Sequence, residues 1–140
     1  MTTIPNVQVS QVMKTSVHLV DPMLPVRKAM SIMHELGVSS LVIERRDDSD
    51  ELGLLTVTDI AREVIAKGRS MDRVDVYEIM VKPVLTVPVE MDIRYAVRLL
   101  SRFSASRGLV VDHDRKLVGI VTLRDMVLAY VHMDEGGIEA

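Results

Sequence analysis

The chain repeats itself. Gly53-Leu-Leu-Thr56-Val-Thr-Asp59-Ile60 returns as Gly119-Ile-Val-Thr122-Leu-Arg-Asp125-Met126, 66 residues later. Upstream, Val26, Ala29, Met30, Met33 and Leu36 are answered by Ile93, Ala96, Val97, Leu100 and Phe103, each 67 residues on. The offset falls by one, so the connection between these blocks is one residue shorter in the second copy. A period this long describes one small α/β unit used twice, not a solenoid of short repeats. In a chain of 140 residues either copy alone would bury a marginal core, and two copies packed sheet to sheet would not. The polar part of the motif is duplicated along with the apolar part, so two related sites are expected.

The first copy reads as follows. Residues 26, 29, 30, 33 and 36 carry helical spacing, which predicts a helix over Met23–Leu36 with one buried face. Asp21-Pro22 supplies a start signal and Gly37 a stop. Val38–Glu44 reads as a strand, Arg45 to Glu51 as a charged, solvated turn, and Leu52–Val57 as a second, almost wholly apolar strand. Thr58 to Lys67 then reads as a helix closed by Gly68. The second copy repeats the order, with an extended segment Val84–Val87, a helix Asp92–Phe103, a strand Gly108–Asp112, a turn His113–Lys116, a strand Leu117–Thr122 and a helix Leu123–His132. Each copy is β-α-β-β-α, giving a mixed α/β (α+β) chain with pseudo-twofold symmetry. The first domain is expected at 9–68 and the second at 75–132, with the linker at Arg69–Val74 and a frayed tail from Met133.

Composition removes several classes of function. Cysteine is absent, so there is neither a disulfide framework nor a thiolate metal site. His18, His34, His113 and His132 have no metal-ligand spacing. No apolar run approaches the roughly 18 residues of a membrane span, and no secretory signal opens the chain. A net charge of −3 with no Trp and one Phe argues against nucleic acid as a partner. A cytoplasmic protein is expected. No nucleophile stands beside a base and no Gly-rich phosphate loop precedes a Lys, so no catalytic residue is assigned and the chain reads as a non-enzyme.

Paired β-α-β-β-α units, each ending in Gly-apolar-apolar-Thr-x-x-Asp at the mouth of its last helix, resemble a tandem of cystathionine-β-synthase (CBS) domains, the Bateman module. The lead-in Val12-Met13-Lys14-Thr15, echoed by Ile79-Met80-Val81-Lys82, belongs to the likeness, which covers residues 9 to 132. In one respect the chain departs from the family. Its first strand after the helix often carries Pro-Val, where the copies here read Leu41-Val-Ile43 and Leu109-Val-Val111.

The resemblance implies a regulatory module that binds an adenosine-containing ligand (AMP, ADP, ATP or S-adenosylmethionine) and needs no other cofactor. The motif's chemistry suits that ligand. A carboxylate accepts two hydrogen bonds side by side, as vicinal ribose hydroxyls require, and Asp59 and Asp125 supply one each. Helix-start N–H groups receive phosphate, with the Thr56 and Thr122 hydroxyls beside them. The alternative reading of Asp59 and Asp125 is a plain helix start, capped by Thr58 or by the Asp itself.

By the same resemblance each cleft mixes both copies. The first cleft would combine Leu54, Thr56, Thr58 and Asp59 with Lys82, Pro83, Val84, Leu85, Ala105, Ser106 and Arg107. The second would combine Ile120, Thr122, Arg124 and Asp125 with Ser16, Val17, His18, Val38, Ser39 and Ser40. Lys82 and Arg107 make the first the richer in cations, so it is expected to prefer the more phosphorylated ligand. Ile32, Ile65, Val127 and Val131 widen the apolar helix faces beyond one stripe, which points to a homodimer. Any regulated enzyme or transporter is expected to be a separate chain. The rival reading is a ligand-free dimerisation scaffold.

Overall fold

A computed structural model describes residues 6–136. They form two compact units. One runs from His18 to Val84, and the other joins residues 6–17 to residues 85–136. Folded unit and sequence repeat are therefore out of phase by one lead-in segment. The reason lies in the backbone. Lys14 forms a bridge with Ile120, with both N–H···O distances 2.9 Å, and Val81 does the same with Leu54. Each lead-in segment pairs with the motif strand of the other sequence copy.

In the His18–Val84 unit, β1 (Leu19–Val20) lies parallel to β2 (Ser40–Ile43), and β2 antiparallel to β3 (Gly53–Thr56). Helix α1 (Val26–Leu36) connects β1 to β2. Its buried face consists of Val26, Ala29 and Met33, packed with Leu41, Ile43 and Leu55 of the sheet and with Val74, Val76 and Ile79 further along the chain. Leu36, expected on that face, is 45% exposed. It is the last helical residue and sits at the margin of the stripe, just before the chain turns away.

The helix begins three residues later than the sequence predicts. Asp21 Oδ1 accepts from the Met23 N–H at 2.7 Å, a local turn that competes with helix. Pro25 then pushes Leu24 toward extended backbone, so the helix can start only after it. At the other end Gly37 adopts φ +67°, and Val38 N–H bonds Met33 C=O at 3.0 Å. This Schellman closure consumes Val38 and delays β2 to Ser40.

The second helix of this unit starts at Val57, not Thr58. Its α-helical residues are α2 (Val57–Ile60), and the turn Ala61–Ile65 is π-helical. Gly68, at φ +66°, ends it as expected.

In the other unit, β4 (Thr86–Pro88) is parallel to β5 (Arg107–Val111), which is antiparallel to β6 (Leu117–Thr122). Helix α3 (Ile93–Arg102) is capped by Asp92, whose Oδ1 accepts from Arg94 N–H at 2.8 Å. Its core face is Ile93, Ala96 and Leu100, against Val9, Val87, Val110, Val121 and Met126. Phe103, expected to match Leu36 in the core, matches it in exposure instead, at 63%. Helix α4 (Leu123–Gly136) continues past the predicted end at His132. The rest of the expected frayed tail lies outside the described residues.

The strand register locates the missing residue. Ile43 pairs with Gly53, enclosing residues 44–52, and Val110 pairs with Gly119, enclosing residues 111–118. The deletion is in the hairpin connection, where β5 and β6 also carry a bulge at Val110/Val111. The register also corrects the strand alignment. Ser40 pairs with Thr56 and Arg107 with Thr122, so Leu41 corresponds to Gly108, not Leu109.

Candidate functional site

Both motifs are built alike. A strand, buried in β3 and half-buried in β6, brings the chain to a Thr, and the Thr hydroxyl caps the helix that follows. In the first, Asp59 N–H donates to Thr56 Oγ1 at 3.2 Å, while Thr56 N–H and Thr56 Oγ1 donate to Asp59 Oδ2 at 2.9 and 3.0 Å. This is a reciprocal capping box with Asp in the position usually held by Glu or Gln. In the second, Asp125 N–H donates to Thr122 Oγ1 at 3.0 Å. Thr56 and Thr122 are the caps, so neither Thr58 nor the aspartates fill that place. Thr58 and Arg124 are exposed on the first turns of their helices.

The two carboxylates differ in setting. Asp59 is 9% exposed and the only polar residue in the buried set of the described residues. Its Oδ2 is committed to the box, which leaves Oδ1 outside it. Asp125 is half-buried.

Each glycine that opens a motif is needed for close approach. A Cβ on Gly119 would lie 2.8 Å from both Lys14 C=O and Met13 Sδ, and one on Gly53 would lie 2.7 Å from Met80 Sδ. The lead-in segment lies directly on the motif strand in both units. Leu54 is buried, and Ile120 is half-buried.

The other expected site residues fall as follows. In the His18–Val84 unit, Val57 N–H donates to Ser39 C=O at 3.1 Å, Ser40 pairs with Thr56, and Val42 N–H donates to His18 C=O at 2.9 Å. Ser39 and Ser40 thus adjoin the first motif within their own unit, which Val38 and His18 share. In the other unit, Leu123 N–H donates to Ser106 C=O at 2.8 Å, Arg107 pairs with Thr122, and Leu109 N–H donates to Leu85 C=O at 3.0 Å. Ser106 and Arg107 thus adjoin the second motif, and Ala105 and Leu85 share its unit. Ser16 and Val17 share that unit, and Pro83 and Val84 share the unit of the first motif.

Lys82 is not brought to the motif. Its Nζ is 2.6 Å from Asp50 Oδ1, in the connection that precedes β3, whereas Thr56 is at the other end of that strand. The side chains are 24% and 9% exposed. Sequence reasoning missed Asp50, because Arg45 to Glu51 reads as a solvated mixture of charges with nothing to single out one carboxylate. Lys82, followed by the Arg46 N–H, holds the Asp50 carboxyl well below the usual carboxylate range. Among the described residues, no group of three or more His, Cys, Asp or Glu is placed to hold a metal ion.

The CBS domain model matches residues 9–66 and 76–132. This chain belongs to the CBS domain family. Among curated relatives, an uncharacterized protein of Methanopyrus kandleri is 36% identical over 95 residues, covering 68% of this chain and 48% of that one. The chain spans about half or less of the length of the first relatives it matches. Among solved structures, the hexameric CBS-CP12 protein from bloom-forming cyanobacteria has a TM-score of 0.85 at 28% identity, covering 93% of this chain and 75% of that chain. CBSX2, solved in complex with AMP, has a TM-score of 0.68 at 27% identity, covering 91% of this chain and 98% of that chain. The paired β-α-β-β-α reading and the CBS resemblance both hold. No helix among the described residues is long and apolar enough to cross a membrane.

Proposed function

We propose that this CBS pair is a regulatory module that binds an adenosine-containing ligand through its two Thr-x-x-Asp motifs and catalyses nothing itself. The observation that carries the reading is the motif geometry. Twice, a strand delivers a Thr-capped helix start with a carboxylate on its first turn, suited to a ribose diol beside helix N–H groups. The AMP complex of CBSX2 supports the adenosine class. AMP, ADP, ATP and S-adenosylmethionine share the part this motif reads. The residues expected to line the two clefts remain the proposed ligand contacts, except Lys82, whose ammonium is already engaged by Asp50.

The module is further proposed to act in the cytoplasm as a homodimer and to report ligand occupancy to a separate enzyme or transporter. Val127 at 47% and Val131 at 43% exposure, one turn apart on α4, support a self-association face, since such residues seldom cluster on a monomer's surface.

Isothermal titration of the purified chain with AMP, ATP and S-adenosylmethionine tests the ligand reading. At least one should give saturable heat and raise stability by about 2.7 kcal/mol at 100 times its Kd. A flat titration with all three, with no change in unfolding temperature, would reject the reading in favour of a ligand-free scaffold.

A further inference from the structure

We propose that the Asp50–Lys82 pair is a latch that positions residues 81–84, and that Asp50 is thereby a positioning residue for the ligand site of the first motif. The ligand part of this inference rests on the adenosine reading above.

Lys82 follows Val81, whose backbone N–H and C=O both bond Leu54. That bridge is isolated and joins the segment to the edge of the sheet at one residue. One bridge fixes the position of residue 81 but leaves the chain beyond it free to swing, and the next residues are Pro83 and Val84. The ion pair supplies the second point of attachment. Asp50 Oδ1 takes Lys82 Nζ at 2.6 Å. Asp50 Oδ2 takes Arg46 N–H at 3.0 Å and Arg46 Nε at 3.3 Å, and the Glu51 N–H also bonds the carboxylate. The carboxylate is thus anchored in its own turn by backbone donors, and Lys82 is the group it holds from outside that turn. Shielded charge-assisted bonds of this kind are among the strong polar contacts.

Two consequences separate a latch from a phosphate-reading lysine. First, Pro83 and Val84 are proposed contacts of the ligand at the first motif and carry no charge with which to read phosphate number, so loosening them should weaken every candidate ligand alike. Second, the device belongs to one unit. At the matching offsets the other unit has Thr15 for Lys82 and Lys116 for Asp50, so the site of the second motif is indifferent to it.

The test compares wild type, Asp50→Asn and Lys82→Met. Amide hydrogen exchange at Leu54 and Val81 should accelerate about tenfold in each variant, with β2 amides unchanged. Unchanged exchange at Val81 in Asp50→Asn would overturn the latch. In calorimetry with AMP and ATP, both ligands should lose affinity by the same factor at one of two sites. A loss confined to ATP in Lys82→Met would overturn the positioning role and make Lys82 a phosphate reader. Absence of binding by the wild type overturns the ligand site together with the functional reading, while the exchange arm still decides the latch.

Discussion

Thr56 and Asp59 hold each other in both directions: the Asp59 N–H reaches the Thr56 hydroxyl, and Thr56 gives its own N–H and its hydroxyl proton to Asp59 Oδ2. Asp59 is therefore structural as well as available to a ligand, and the two aspartates should differ when removed. Asp59→Ala should cost about 0.5–2 kcal/mol of stability through loss of its half of the box. Asp125→Ala should cost less than half of that. Each should weaken one nucleotide site by about 1.5–3 kcal/mol. Urea unfolding and calorimetry of both variants check this. Equal stability losses would show that the carboxylate half of the box contributes nothing.

The two motif glycines should also differ. A methyl on Gly119 meets the Lys14 carbonyl, which is fixed by its bridge to Ile120, whereas the nearest atom to a methyl on Gly53 is the sulfur of Met80. Gly119→Ala should destabilise by about 1–3 kcal/mol. Gly53→Ala should cost less, because a methionine side chain can re-pack. Thermal unfolding distinguishes them, and a larger loss for Gly53→Ala would contradict the argument.

Ser104 occupies the place that Gly37 occupies in the first copy. It has φ +53°, and the same closure follows it, with Ala105 N–H on Leu100 C=O at 2.9 Å. A serine pays for that conformation and a glycine does not. Ser104→Gly should raise stability by about 0.5–1 kcal/mol, and Gly37→Ala should lower it by about 1 kcal/mol. Chemical denaturation of the pair should show opposite shifts in midpoint.

Asp50 should leave a mark on acid stability. Its pKa in the folded chain is depressed, chiefly by Lys82, so the folded state takes up that proton less readily than the unfolded chain. Its stabilising contribution is complete at neutral pH and is lost as pH falls below about 4, the ordinary carboxylate value. Wild type should lose stability more steeply than Asp50→Asn below that pH. Parallel profiles from pH 7 to about 3 would show that the pair does not couple to folding.

Self-association is the remaining test. Val127 and Val131 lie one turn apart on α4 and are both exposed. Wild type should scatter light at twice the 15.7 kDa of the chain, and Val127→Glu with Val131→Glu should reduce that to one. A wild-type mass of 15.7 kDa at micromolar concentration would reject the dimer.

The sequence by itself determined the architecture and the place of the motifs. A duplicated helical stripe, a duplicated strand and a duplicated Gly-x-x-Thr-x-x-Asp are local patterns, and Leu117–Thr122 forms a strand with the predicted bounds. Helix starts and stops were less legible, because Pro25 and the Schellman closures at Gly37 and Ser104 shift boundaries by backbone geometry that periodicity does not carry. What only the tertiary structure decided is which distant segments meet. Lys14 bridges Ile120 and Val81 bridges Leu54, since two lead-in segments with the same pattern can satisfy either sheet edge equally well on paper. The same holds for Asp50. In the sequence it is one acid among several in a charged turn, and its meaning comes from a lysine 32 residues away whose ammonium the fold brings to 2.6 Å.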